Sequence, residues 1–243
     1  MLKKIDESLY PLTLSFIKGD YVPPFEMVTV NVTFNDPDHL VSEFLKNKYE
    51  VGDIQRKIES IIEVNDTYVE WKSHFKPPLH LHHIEKYMYL YSSTKYYEKY
   101  GKDDLIAELY NNVLPLPKDQ VLFRGGSNLE IPSDWKECEE FVWDAPRSTT
   151  LNVGVAYNHA FADCTKVIGF RPELDRNLTP IILVITVADE HVKGYVFNYE
   201  EDSDNKHEKE VLLSPNITLV KSKEIEFDSI KVIYAKAFGD ESY

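Results

Sequence analysis

Near its C-terminal end the chain reads EEDSDNKHEKEVLLSP, an acidic run that passes at once into the apolar Val211-Leu212-Leu213. In a strand, residues i and i+2 point to the same side. A strand through this segment would put Glu208 and Glu210 on one face and Lys209 on the other. Two carboxylates on one face repel, unless a cation meets them or they do acid–base work. Upstream, Arg124 closes the apolar run QVLFR and is followed by Gly125-Gly126. A guanidinium is a rigid fork for phosphate oxygens, and glycine lets a ligand approach the backbone. Ser148-Thr149-Thr150 set three hydroxyls where a strand runs into a helix. Each feature also has a plain structural alternative: a solvated edge strand, a salt-bridged arginine before a turn, and hydroxyls that cap a helix.

Composition narrows the setting. The 243 residues are 43% hydrophobic and 13% aromatic, enough for a sizeable core. Lys and Arg number 27 against 41 Asp and Glu, a net charge of −14. Such a chain repels phosphate backbones, so general nucleic-acid binding is not expected, although a local basic pocket remains open. The two cysteines, Cys138 and Cys164, fit neither a disulfide scaffold nor a cysteine zinc site. His80, His82 and His83 have no carboxylate or cysteine at ligand spacing, and no metal is expected. No P-loop or dinucleotide-binding glycine signature is present, and no nucleophile elbow supports a Ser-His-Asp triad. No apolar run approaches the roughly 18 residues of a membrane helix, so no membrane contact is expected. The start of the chain lacks the apolar segment of a secretory signal, and the cytoplasm, the cell's own or a host's, is the expected compartment. The Lys-, Asn-, Tyr- and Ile-rich, glycine-poor composition leans toward a phage or bacterial protein.

The elements that would carry these residues read as helices first and strands later. EMVTVNVTF (26–34) alternates as a strand. DPDHLVSEFLKNKY reads as a helix with Asp38 as N-cap, and IQRKIESIIEV as another. FKPPLHLHH (75–83) breaks the pattern as a linker. The tyrosine-rich segment after it has helical spacing, and Tyr87, Tyr89, Tyr91, Tyr96, Tyr97 and Tyr100 are expected to pack a helical layer. From position 120 strands dominate: QVLFRGG, bounded by its glycines; CEEFVWDAPRST as one strand; TPIILVITV (179–187); KGYVFNY; EVLL; ITLVKS; and SIKVIYAKAF. LNVGVAYNHAF reads as a helix capped by Asn152. The class is α+β, with an antiparallel-leaning sheet.

Taken in order, FRG at 123–125, STT at 148–150 and EKE at 208–210 resemble the arginine–serine–glutamate class of mono-ADP-ribosyltransferases. That class includes arginine-specific bacterial toxins, bacteriophage enzymes and vertebrate ecto-enzymes. Its pattern is an aromatic-Arg-Gly strand, a Ser-Thr-Ser strand and a Glu/Gln-x-Glu strand. Thr150 stands where serine is usual and keeps the hydroxyl. The helical segment ending LPLPKDQVLFRGG also resembles the family's lead-in. The resemblance covers about 84–240. It implies a split antiparallel β-sandwich core in a catalytic domain over 81–243, preceded by an N-terminal extension or subdomain, 1–80, of unknown role.

The resemblance further implies NAD+ as the substrate that donates ADP-ribose, and a protein with an exposed arginine as acceptor. Glu210 would stabilise the oxocarbenium-like ribose as neutral nicotinamide leaves. Glu208 would orient the guanidinium and help remove its proton. A glutamate at this first position resembles the arginine-modifying subclass. Arg124 would bind NAD+ phosphate or ribose, and Gly125 would offer backbone groups to the nicotinamide amide. The hydroxyls of Ser148, Thr149 and Thr150 would line the NAD+ site, with Ser148 bracing Glu210 and Thr150 in support. Within the loop 162–178, Phe170 and Arg171 would stack on nicotinamide and contact phosphate. Tyr199 and the acidic run 199–207 would recognise a basic target surface. Two alternatives stand beside this expectation: an NAD+ glycohydrolase or transferase to another acceptor, and a non-catalytic binding module of the same fold, which would lack the Glu-x-Glu.

Overall fold

The run PIILVITV explains the centre of the protein. Its β-branched residues form strand β9 (Pro180–Val187), buried along almost its whole length, as a strand covered on both faces must be. In the computed structural model, which describes residues 2–19, 27–46, 51–89, 99–168, 171–198, 208–228 and 230–241, β9 is the middle of a nine-stranded sheet. On one side it pairs in parallel with β13 (Ile230–Phe238), followed by β12 (Ile217–Phe227) and β5 (Glu140–Trp143). On the other side it pairs antiparallel with β4 (Val121–Ser127). The second wing runs β3 (Leu114–Pro115), β10 (Lys193–Val196), β11 (Glu210–Leu213) and β6 (Arg147–Thr150). The wings meet at β4 and β6, where a single register pair, Phe123 opposite Thr150, joins them. Every pairing but β9 with β13 is antiparallel. The α+β, split antiparallel expectation is met, and the split falls at the strands that carry Arg124 and Ser148.

Seven helices accompany the sheet among the described residues: α1 (Asp6–Leu9), α2 (Pro37–Lys46), α3 (Val51–Glu63), α4 (Asp66–Ser73), α5 (His82–Tyr89), α6 (Asp103–Tyr110) and α7 (Val153–Asp163). None is long and apolar enough to cross a membrane. Asn152 caps α7 as expected, its side chain accepting from the Gly154 amide. The cap of α2 is Asp36 rather than Asp38: Asp36 accepts from the His39 amide at 2.7 Å, and Pro37 takes the first helical position, which needs no amide donor. Of the tyrosines expected to pack the helical layer, Tyr87 is buried and Tyr100 is partly buried against the core. The side chain of Tyr89 lies outside the described residues, as do Tyr91, Tyr96 and Tyr97.

Three further expectations change. CEEFVWDAPRST is two strands, β5 and β6, broken at Asp144-Ala145-Pro146 and sent to different wings. β4 runs through Gly125-Gly126 rather than stopping there. The loop 162–178 contains a two-stranded ribbon of β7 (Thr165–Ile168) and β8 (Arg171–Leu174). Phe170, the run 199–207 and the side chain of Arg171 lie outside the described residues. A hairpin of β1 (Leu12–Gly19) with β2 (Met27–Phe34) also forms, and β1 was legible in principle. Its Leu12, Leu14 and Phe16 are buried, while Thr13 and Ser15 pair across the exposed face with Thr33 and Asn31.

Residues 1–80 share one hydrophobic core with the sheet, from Leu2 to Ala237. The segment 75–83 is docked: Phe75 and Leu81 are buried, and Tyr195 donates to the Lys76 carbonyl. At the other end of the region, the Ile5 amide donates to Gln120 Oε1 at 2.8 Å, and the Val121 amide donates to Asp6 Oδ2 at 2.8 Å. Burial pushes the Asp6 carboxyl up to about 6, against the opposing pull of hydrogen bonds donated by the Val121 amide and by Gln120 Nε2. An unfolded aspartate titrates near 4, so between these values the native state binds more protons than the unfolded state. Asp6 therefore makes the fold less stable as pH rises from about 4 to about 6. The unfolding free energy of Asp6→Asn, relative to the unsubstituted protein, is expected to improve by on the order of 2 kcal/mol between about pH 4 and pH 7.5 in urea titrations. A difference that stays constant with pH would show that Asp6 does not titrate in this range.

Candidate active site

The two glutamates are not members of one strand. β11 begins at Glu210, and Lys209 has a φ of +49°, in the left-handed region. A lysine there costs on the order of 1 kcal/mol and persists only where its surroundings determine it. They do so from several sides. The Lys209 side chain is 2% exposed, and its ammonium is ion-paired with Glu63 at the end of α3. Glu63 also receives Lys72 of α4 at 2.8 Å, and the Lys209 ammonium lies 5.9 Å from the Tyr68 ring centre. Burial opposes ionisation of Glu63, but the two lysines hold its carboxyl below the usual range. The backbone is fixed as well: Thr150 Oγ1 donates to the Glu208 carbonyl, and the Leu151 amide donates to the Lys209 carbonyl at 3.2 Å. Lys209 does turn away from the glutamates, as strand alternation implied, but through a kink.

The kink leaves Glu208 and Glu210 facing a common neighbour. Glu210 is buried and lies opposite Thr150 in the β6–β11 register. Glu208 Oε1 is 3.6 Å from Nε2 of His159 on α7. The Glu208 contact, stronger than the burial that opposes it, raises the imidazole above the ordinary histidine range, with Asp163 and Glu210 adding to the effect. Ser148 and Thr150, two residues apart in β6, share a face, and Ser148 is therefore diagonal to Glu210. Thr149 points the other way: it is buried, and its hydroxyl donates to the Val211 carbonyl at 2.7 Å.

Arg124 sits on the seam. Its Nη1 donates to the Ser148 carbonyl at 2.6 Å, tying β4 to β6 where only one residue pair joins the wings. Nε and Nη2 both meet Glu130 Oε2, at 2.8 and 2.7 Å. Burial alone would lower the guanidinium's proton affinity, but Glu130 reverses this and keeps it charged. Three of its five N–H groups are thus used among the described residues. The carboxyl of Asp163 is pushed up by burial and then by Glu130, so an acidic pair flanks the arginine.

The glycines after Arg124 serve packing. A Cβ on Gly125 would lie 1.7 Å from the Ala156 carbonyl oxygen and 2.7 Å from the Ala160 nitrogen, so α7 occupies that space. A Cβ on Gly126 would come within 2.6 Å of the Glu130 carboxylate. Gly125 thereby lets α7 press onto β4 and bring His159 up to Glu208, and Gly126 makes room for the partner of Arg124. Sequence reasoning missed Glu63, Glu130 and His159. Glu130 reaches Arg124 only because a short 3-10 turn, Asn128–Glu130, follows the strand. His159, seven residues past the Asn152 cap, had the one usable signal: a histidine in the helix that follows the hydroxyl strand.

No protein-family model matches the chain, and no curated protein does. Solved structures do. The ADP-ribosyltransferase Vis, in complex with agmatine, superposes with a TM-score of 0.51 at 15% identity, over 82% of this chain and 91% of that one. The Vis toxin of Vibrio Splendidus gives 0.43 at 15% identity, over 79% and 86%. The Plx2a toxin of Paenibacillus larvae, also an ADP-ribosyltransferase, gives 0.45 at 12%, over 71% and 91%.

Two measurements test this construction. Gly125→Ala forces backbone against backbone and is expected to destabilise the protein by about 3 kcal/mol or more, read by denaturant unfolding. A loss under about 1 kcal/mol would mean that α7 is not held by this contact. Lys209→Met keeps the volume and removes the charge. Because Glu63 is half exposed, the expected loss is only about 1–2 kcal/mol, and unchanged stability would show that Lys209 is not an anchor.

Proposed function

We propose that this chain, which has the ADP-ribosyltransferase fold, transfers ADP-ribose from NAD+ to an arginine side chain of a protein and releases nicotinamide. The observation that carries this reading is the convergence of two carboxylates, Glu208 and Glu210, beside the hydroxyl strand that Arg124 ties to β4. The fold shared with Vis, a transferase seen with a guanidine compound, supports it.

The residues suit the reaction. Breaking the bond between ribose and nicotinamide builds positive charge on the sugar, and the leaving group departs as a neutral ring that needs no acid. The buried carboxylate of Glu210 is the electrostatic partner for that charge, and Ser148 lies on its diagonal, where it would brace it. Arg124 would bind NAD+ phosphate or ribose, and Gly125, whose Cα face is filled by α7, would offer only its backbone groups to the nicotinamide amide. Glu208 is less buried and faces outward from the turn, where an incoming guanidinium would be held and deprotonated. The shared core and the Lys209–Glu63 pair support reading residues 1–80 as part of the same unit.

Glu210→Gln is expected to lower both NAD+ hydrolysis and transfer by about a hundred- to a thousandfold. Glu208→Gln should lose most transfer to a guanidine acceptor while keeping part of the hydrolysis. Nicotinamide release and labelling of agmatine from labelled NAD+ report the two activities. Normal transfer by Glu208→Gln would remove the role given to that residue. Label on host proteins that free agmatine does not compete away would favour a non-arginine acceptor.

A further inference from the structure

Moving ADP-ribose to a guanidinium releases a proton, and the carboxylate beside the acceptor is poorly suited to keep it. The ribose–nicotinamide bond breaks with its electron pair on the nicotinamide nitrogen. The guanidine nitrogen supplies the pair for the new bond to the ribose carbon. The acceptor gives up one N–H proton, and the product guanidinium keeps a single positive charge. Glu208 can take that proton, but its side chain is only 21% exposed and must be reset for the next turnover. The one basic group that the described residues place beside it is His159, 3.6 Å away and 52% exposed, in contact with the carboxylate on one side and with water on the other.

We infer that His159 accepts the transfer proton from Glu208 and passes it to solvent. This rests on the proposed transferase activity and extends it. The distance is an ion-pair separation, and acid–base contacts of this type tighten when substrate binds. The surroundings favour an imidazole over a second carboxylate as the terminal acceptor. Glu208 and Glu210 face His159 from the β11 side, and Asp163 faces it from one turn further along α7. Glu130 and Arg124 lie beyond Asp163, on the β4 side. Toward α3, Asn158 beside it donates to Gln55. Among the described residues of the turn, the one lysine, Lys209, is drawn off to Glu63. This negative setting, Glu208 first, raises the imidazole above its ordinary value and makes it the stronger base of the pair. Water attacking an oxocarbenium loses its proton without help, whereas a guanidinium must be deprotonated first. The His159 requirement therefore falls on transfer more than on hydrolysis.

The sign of the pH dependence follows. Transfer needs neutral His159, so its rate should rise with pH through an inflection above about 6.5 and then level off. With the full chain, NAD+ and agmatine, nicotinamide release and agmatine labelling are measured from about pH 5.5 to pH 9. In His159→Gln the ratio of transfer to hydrolysis should fall about tenfold near pH 8, and the inflection should vanish. In His159→Ala, added imidazole should restore part of the transfer, which a purely structural defect would not allow. An unchanged ratio with the inflection retained overturns the assignment. So does a ratio that rises at acid pH, which would mean that protonated His159 merely blocks Glu208. If the unsubstituted chain releases nicotinamide but labels no guanidine, the assignment and the arginine reading fall together. If it labels agmatine normally while the variants match it, only the His159 assignment falls.

Discussion

A buried ammonium, that of Lys209, decides the geometry of the site. Taking it out of water would be costly without a partner, and Glu63 supplies one from a helix some 146 residues earlier in the chain. The pair holds Lys209 in a left-handed conformation that its side chain would otherwise disfavour. That conformation separates Glu208 from strand β11 and turns its carboxylate toward α7. Were 208–210 a regular strand, alternation would still put both glutamates on one side, but Glu208 would sit in the ladder beside β6. The kink frees its backbone carbonyl for Thr150 and its side chain for the outer edge. The third hydroxyl of that strand, Thr150, thus helps shape the carboxylate turn.

The second constraint is the seam. Two sheet wings joined by one residue pair leave backbone groups that the ladder cannot satisfy, and buried backbone groups must find partners. Arg124 answers one of them by donating to the Ser148 carbonyl. A lysine could not meet Ser148 and Glu130 together with one planar group. Gly125 and Gly126 belong to the same solution, one admitting α7 and the other admitting Glu130. In a sequence, glycines after an arginine suggest a ligand close to the backbone. Here the nearest occupants of the missing side chains are the protein's own helix and its own carboxylate.

This explains what the sequence could and could not tell. β9, β13 and α7 were legible because apolar run, β-branching and a polar cap all act locally. The strand pair hidden in CEEFVWDAPRST was not, because Pro146 separates segments that go to different wings, and only topology distinguishes them. Arg124, Ser148 and Glu210 were visible as three short motifs in order. Their supports, Glu63, Glu130 and His159, were not, because each depends on a partner brought in by another element. Thr149 illustrates the reverse case. It stands in the middle of the hydroxyl motif, yet strand alternation turns it inward to Val211.

The charge pattern raises a harder question, since Glu208, Glu210, Glu130 and Asp163 crowd a site proposed to take a dinucleotide bearing two phosphates. The negative field is useful to two species in the proposed reaction, the ribosyl cation and the incoming guanidinium, and harmful to the phosphates. The structure separates these demands by position. Glu208 and Glu210 stand at the β11 edge, one nearly buried and one facing out, with His159 as their shared cation when protonated. Arg124 stands across the seam, a permanent cation paired with Glu130. Asp163, between them, is shifted toward its neutral form by burial and by Glu130, which weakens the field on the arginine's side. A donor substrate lying along β6 would meet its cation at one end and its carboxylates at the other, and the developing charge would appear beside Glu210 rather than beside Arg124. Polarity along one strand, rather than net charge, would let an acidic protein use the proposed anionic substrate.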